Sequence, residues 1–253
     1  MTEETTSDAP VAQYVVRAGV ATITFDRPQA RNALNAAMVA QVDAALSAAE
    51  QAPDVAVIVL TGSDPAFCAG LDIREFGETG RPPAGVNDLI QRMPVLTKPT
   101  IGAINGPVLT GGLEFALGLD ILIASERAVF GDTHAKVGIL PGGGMTAHLP
   151  RAVGQRLALE MSFTGRLLTP AEALQKGLVT HVLPHDELLG KAQELGEAVA
   201  ARNGAIVREL KRLYRASLDS TMGEGLANEI AERDARRARG NQLVPSSDRV
   251  PLS

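Results

Sequence analysis

Two short segments of this 253-residue chain have residue types that could do chemistry: Ala69-Gly70-Leu71-Asp72 and Gly111-Gly112-Leu113-Glu114. Each lies just beyond an apolar run that reads as a strand, the place where open α/β sheets commonly build their sites. Glycine pairs also make tight turns for close packing, and on residue type alone that is the simpler reading. Glu114 is less easily explained this way. It falls three residues into a predicted helix, about one turn from Gly111, and its neighbours Leu113, Phe115 and Ala116 are apolar. The structural alternative is a Glu at a helix start, satisfied by the helix dipole or an ion pair. Asp132 and His134 share a face if Val129 to Ala135 is extended, which would make them an acid/base pair. The sequence has no GxGxxG, no Gly-rich loop ending in GK[ST], no GxSxG, and no His or Cys pair at metal-ligand spacing.

The elements that must position these groups alternate between strand and helix. Tyr14 to Val16 and Ala21 to Phe25 read as a hairpin. Asn35 can cap a helix whose apolar positions Met38, Val42, Ala45, Leu46 and Ala49 form one buried face, ending at Pro53. Val55 to Leu60 is a continuous β-branched run, the pattern of a strand covered on both faces in a parallel sheet. A loop is expected around Gly77 to Gly85. Thr100 to Asn105 and Ile121 to Ala124 are further strands, with a buried helix over Gly111 to Gly118 between them. Val129 to Ile139 reads as extended, and Pro141 to Gly144 turns the chain into a helix running towards Phe163. Thr169-Pro170-Ala171-Glu172 is a capping box with proline at the first helical position, so a helix starts there and stops at Gly177. From Glu187 to Gly240 the chain is Ala-, Leu- and Arg-rich and reads as helical. These elements predict an α/β protein with residues 1–10 frayed, a core over 11–186, and a C-terminal helical region and tail over 187–253.

Composition narrows the function classes. With 45% hydrophobic residues the chain can bury a sizeable core. The net charge of −5 and the absence of Trp leave neither a basic groove nor an aromatic platform for nucleic acid. The basic run Arg233 to Arg239 reads as a solvated helical face. The single Cys68 can form no internal disulfide and reads as a small buried hydrophobe. The polar, acidic start MTEETTSDAP resembles neither a secretory signal nor a transit peptide, and no run approaches a membrane span, so a cytoplasmic protein is expected.

In order along the chain stand Asp26-Arg27-Pro28 with Arg31 to Asn35, Val57 to Gly62 running into Phe67 to Asp72, and Lys98-Pro99 leading to Ile104-Asn105-Gly106. Gly111 to Glu114, Asp120, Phe130-Gly131, Gly138, Leu140 to Gly144 and Thr164-Gly165-Arg166 follow. Any one is weak, but the ordered set resembles the enoyl-CoA hydratase/isomerase, or crotonase, family from about Val11 to Ala235. The resemblance implies a crotonase (ClpP-like) fold: a repeated ββα superhelical core and C-terminal helices that trade contacts in a homotrimer, often doubled to a hexamer. It implies an acyl-coenzyme A thioester as substrate, with no metal or redox cofactor. It also makes the backbone N–H groups of Leu71 and Gly111 the oxyanion hole. Two preoriented amides bind an enolate better than a neutral carbonyl, and backbone donors serve whatever side chain they carry.

On that resemblance Glu114 is the catalytic carboxylate. Typical hydratases carry a second glutamate twenty residues on, and this chain has His134 there. The reading is therefore that Glu114 activates water while His134, oriented or charged by Asp132, handles the α-proton, the product being that of reversible hydration of a 2-enoyl-CoA. A competing reading keeps the cavity with one working carboxylate, giving an isomerase, lyase, decarboxylase or thioester hydrolase. A non-catalytic crotonase-like binding protein is a more distant alternative. Arg27, Arg31, Ala69, Leu71, Asp72, Ile73, Arg74 and Gly111 are the expected coenzyme A contacts, with Asp72 better suited to fixing the loop, and Lys211 or Arg212 could reach in from a neighbouring subunit. His148, His181 and His185 read as surface or packing residues. Thr110 replaces the first glycine of the commoner triplet, and the sequence from Arg239 departs from the family's usual ending.

Overall fold

A computed structural model describes residues 10–240 of the protein. Residues 1–9 of the expected frayed start over 1–10, and the tail from 241, lie outside the described residues. A hairpin, β1 (Ala12–Arg17) and β2 (Val20–Phe25), precedes α1 (Ala36–Gln51), whose first turn is closed by the Asn35 side chain accepting from the Met38 N–H. Next come β3 (Val57–Gly62), α2 (Ile73–Thr79), α3 (Val86–Arg92), β4 (Thr100–Ile104), β5 (Val108–Leu109) and α4 (Gly111–Leu117). They are followed by β6 (Ile121–Ser125), β7 (Phe130–Gly131), α5 (His134–Val137), α6 (Met145–Val153), α7 (Gln155–Thr164), β8 (Leu167–Leu168), α8 (Pro170–Lys176) and β9 (His181–Leu183). Three helices complete the described chain: α9 (Leu188–Ala200), α10 (Gly204–Leu218) and α11 (Met222–Ala238).

The strands form two sheets. The larger runs β1-β2-β3-β4-β6-β9, parallel apart from the β1–β2 hairpin; the smaller is β5-β7-β8. The chain repeats one excursion: strand in the large sheet, short strand in the small sheet, then helix, as β4-β5-α4 and again β6-β7-α5. The turn before them is a shorter version, β3 followed by Cys68, which bridges Val108 of the small sheet, and then α2. The repeat delivers residues 71, 111 and 134 to corresponding points, because each sits where the chain leaves the small sheet.

The continuous apolar run of β3 is explained by cover on both faces. Ile58 and Leu60 join Ile23, Phe25 and the α1 residues Met38, Val42 and Leu46 in one core. Val57 and Val59 lie on the other face with Ile101, Ala103 and Ile123, against Leu188 and Ala192 of α9. The C-terminal helical region is thus not one piece. A first compact unit extends through Val207 and includes α9, and a second begins at Arg208, within α10.

Three local expectations are corrected. Strand β3 starts at Val57 rather than Val55, whose N–H instead turns back to the Ala52 carbonyl. The loop assigned to Gly77 to Gly85 is helical up to Thr79, because the Asp72 side chain caps α2. The helix after Gly144 is broken in two at Gly154, whose φ of 84° and ψ of 146° no helix can contain. The capping box at Thr169 and the stop at Gly177 are as predicted.

Asn32 shows how buried polarity holds the frame. Fully buried at φ 56°, it accepts from the Arg27 N–H (2.8 Å) and donates to the Ser63 (2.8 Å) and Ala66 (2.6 Å) carbonyls. Asn32→Ala would strand these backbone groups and put a Cβ-bearing residue without Asn's local bonding in the left-handed region. A loss of about 2 to 3 kcal/mol in a urea titration is expected; a loss below about 1 kcal/mol would mean water replaces the amide.

Candidate active site

Residues 68–72 bend at Gly70, φ 104°, and bridge two neighbours. Leu109 N–H donates to the Cys68 carbonyl (3.0 Å), Leu34 N–H to the Gly70 carbonyl (2.8 Å) and Asp72 N–H to the Leu34 carbonyl (2.9 Å). This pattern leaves the Leu71 N–H with no hydrogen-bond partner among the described residues. Gly111, the first residue of α4, has an N–H that the helix cannot pair, and no other partner is seen for it among the described residues. The two amides are neighbours: a Cβ built on Gly111 would stand 3.8 Å from the Leu71 nitrogen, and one on Gly70 would stand 3.5 Å from the Gly111 nitrogen. Gly112 is required by close approach, since its Cβ would lie 2.3 Å from the Cys68 oxygen. Both glycine motifs are therefore packing devices and, by the same packing, bring two free N–H groups together. Cys68 is wholly buried, which pushes its thiol up to about 12, as suits the expected small hydrophobe.

Glu114 is 3% exposed. Its Oε1 accepts from the Gly143 (2.8 Å) and Met145 (3.1 Å) N–H groups, which tie the 141–144 turn to α4. Oε2 faces the His134 Nε2 at 3.7 Å. The sequence singled out Pro141 to Gly144 as a turn only; its part in holding Glu114 was not foreseen, because nothing local in the sequence links positions 29 and 31 residues apart. Gly143 has no room for a side chain, as a Cβ there would meet Ile90 at 2.6 Å and the Glu114 carboxylate at 3.1 Å.

Asp132 and His134 are together, but not on one face of a strand. Strand β7 ends at Gly131 and α5 begins at His134, so the pair is joined by a tight turn. Asp132 Oδ1 accepts from both the backbone N–H (3.1 Å) and ring Nδ1 (2.7 Å) of His134. Its other oxygen accepts from the Ser162 hydroxyl at 2.6 Å. A carboxylate can only accept, so Nδ1 carries a proton and Nε2 is the nitrogen presented to Glu114. Ser162, on α7, is a member of this chain that sequence reasoning missed, and its distance in sequence leaves no signal. The line Ser162–Asp132–His134–Glu114 spans three helices and a turn.

Burial alone would raise the Asp132 carboxyl. The hydrogen bonds from His134 and Ser162, with the His134 backbone N–H and charge, outweigh it and hold Asp132 below the ordinary carboxylate range. A carboxylate with a lowered folded value stabilises the protein fully above the ordinary Asp range, and that stability is lost as pH falls through the lowered value. The slope of unfolding free energy against pH on the acid side should therefore flatten in Asp132→Asn. An unchanged slope in chemical denaturation would remove Asp132 as a source of acid sensitivity.

The expected coenzyme A contacts divide. Arg27 is committed internally, its Nη1 donating to the Ala33 carbonyl (2.7 Å) and its Nη2 to Asp72 (3.0 Å). Burial raises the Asp72 carboxyl, but Arg27 and the capped N–H groups of Arg74 and Glu75 bring it below its ordinary value. Both residues fix the 68–74 segment. Arg31, Ile73 and Arg74 are exposed beside it, and Ala69 is anchored by its N–H to the Arg31 carbonyl. Lys211 and Arg212 belong to the second unit, where Arg212 pairs with Glu209 and Glu232. His185 ties Ser125 to Asp64, and His181 bonds with Thr180, so both are structural. Among the described residues no group of three or more His, Cys, Asp or Glu could hold a metal ion, and no helix is long and apolar enough to cross a membrane.

A family model described as enoyl-CoA hydratase/isomerase matches residues 16–235, nearly the whole described chain. The chain belongs to this family. Among relatives of the enoyl-CoA hydratase/isomerase family, a probable mitochondrial enoyl-CoA hydratase of Dictyostelium discoideum is 40% identical over 210 residues, covering 82% of this chain and 76% of that one. A solved enoyl-CoA hydratase of Mycobacterium avium is 45% identical, with a TM-score of 0.76 and coverage of 92% and 100%. Another, from Bacillus anthracis, is 30% identical with a TM-score of 0.83 and coverage of 89% and 90%. The architecture is accordingly the crotonase fold, as the resemblance implied.

Proposed function

We propose that the protein is an enoyl-CoA hydratase, adding water reversibly to a 2-enoyl-CoA thioester. The observation that carries this reading is the buried pairing of Glu114 Oε2 with His134 Nε2 at 3.7 Å, beside two adjacent backbone N–H groups without partners. The thioester oxygen takes the Leu71 and Gly111 amides, where charge grows as the enolate forms; a donor of this kind is typically worth about 10² to 10³ in rate. Glu114 acts as carboxylate. A water held between Oε2 and the His134 ring attacks Cβ as one of its protons passes to Oε2, and the double-bond electrons move onto the thioester oxygen. The His134 imidazolium, its charge balanced by Asp132, then gives the Nε2 proton to Cα. The proton left on Glu114 crosses the short gap to Nε2 and restores both groups. Atoms and charge balance with no redox step and no metal.

His134 in place of a second carboxylate favours one alternative, an isomerase that moves a proton between carbons. Crotonyl-CoA and a 3-enoyl-CoA, followed by loss or gain of enoyl-thioester absorbance, separate the two. Activity confined to the 3-enoyl substrate sinks the hydratase reading. Coenzyme A is expected over the exposed Arg31, Ile73 and Arg74, with Ala69 and Leu71 lining the thioester end.

A homotrimer or dimer of trimers is part of the same reading. It is supported by exposed Leu210, Tyr214, Leu218, Met222, Leu226 and Ile230 on the C-terminal helices, an apolar surface that water disfavours. Light scattering should give a mass of three or six chains; a monomer would end that expectation.

A further inference from the structure

Thr110 holds a backbone conformation that a β-branched residue rarely adopts, φ 52° and ψ −119°. Glycine would take it without steric cost, so the side chain must be offset by something it does. Four contacts converge on this buried residue. Its N–H donates to the Gly131 carbonyl (2.9 Å), and its carbonyl accepts the Glu114 N–H (2.9 Å), closing the first turn of α4. A Cβ built on Gly70, next to Leu71, would lie 3.3 Å from the Thr110 Cβ. The Thr110 hydroxyl lies 2.5 Å from that of Thr133, the residue between Asp132 and His134. The ψ of Thr110 also sets the peptide plane that carries the Gly111 N–H.

We propose that the Thr110–Thr133 hydroxyl pair is a positioning clamp for the reaction. It fixes the Gly111 amide and Glu114 on one side in register with the His134 turn on the other. Neither threonine is a catalytic residue; each acts through the groups next to it in the chain. The inference rests on the enolate chemistry proposed above. What it adds is that the geometry between the oxyanion amides and the proton-transfer groups is set by two side chains outside both.

The test uses full-length protein and two assays: hydration of crotonyl-CoA, and exchange of the α-protons of butyryl-CoA for deuterium. Exchange needs the amides and a base but no addition of water. Thr110→Gly relieves the strained backbone, so its melting temperature should not fall in proportion to activity. Its kcat should fall about ten-fold with KM changed by less than about two-fold, the pattern of lost alignment rather than lost binding. Thr110→Ser, which keeps the hydroxyl, should return kcat to within about two-fold of the parent. Thr133→Val should match Thr110→Gly, and the double variant should be no worse than either, because the two share one contact.

A parent-like kcat in both Thr110→Gly and Thr133→Val overturns the clamp, as do losses that multiply in the double variant. Should the parent protein exchange α-protons but hydrate nothing, the hydratase reading fails and the clamp is decided by the same variants in the exchange assay. A parent inert in both assays overturns both.

Discussion

Glu114→Gln should lower kcat for hydration by about 10² to 10⁴, the usual worth of a positioned acid or base, while leaving the protein folded. The separation of effects follows from how the carboxyl group is held. Oε1 accepts from Gly143 and Met145, and the amide oxygen of Gln can accept both bonds in place. Only the atom facing His134 changes, from a carboxylate oxygen that takes a proton from water to an NH2 group that cannot. The thermal transition should therefore shift little, and KM should stay near the parent value, since the loss falls on the transition state. More than about a tenth of the parental kcat in this variant would mean that water is activated elsewhere. Glu114→Ala is a poorer test, because it leaves two buried N–H groups unpaired and adds a stability cost of its own.

The second large effect is expected at His134. His134→Gln removes the group assigned to Cα and should lower kcat by a similar factor of about 10² to 10⁴. Its distinguishing signature is the loss of proton exchange at Cα. In the parent the Nε2–H group exchanges the α-proton, so the variant should lose exchange of the butyryl-CoA α-protons for deuterium along with hydration. Asp132→Asn should reproduce part of the loss with His134 still in place, because the carboxylate that receives Nδ1–H and balances the ring charge is gone. Ser162→Ala, which removes the hydroxyl on the far oxygen of Asp132, should do so more weakly. An unchanged rate in His134→Gln would reduce the site to one carboxylate and favour the isomerase alternative.

The local signals proved dependable wherever the determinant is itself local. The Asn35 cap, the apolar face of α1 and the Thr169 capping box each depend on residues within about one helical turn, and each formed as predicted. The covered strand β3 was legible because a parallel strand buried on both faces needs an unbroken apolar run. The extended reading of residues 129–139 failed for the converse reason. The bond from His134 to Asp132 and the start of α5 bend the chain after only two strand residues, and alternating residue types do not reveal such a turn.

By itself the sequence determined which groups are available: two glycine motifs beyond strands, an acidic residue in apolar company, and a histidine where a second carboxylate usually stands. Tertiary structure alone decided what holds them. The 141–144 turn fixes one oxygen of Glu114, Ser162 fixes Asp132, and the path of residues 68–72 leaves the Leu71 N–H open. The physical reason is that hydrogen bonds between residues about 29 to 41 positions apart arise only once the strands have paired and the helices have packed. Residue types can propose a carboxylate and an imidazole, but the 3.7 Å between them belongs to the packed chain.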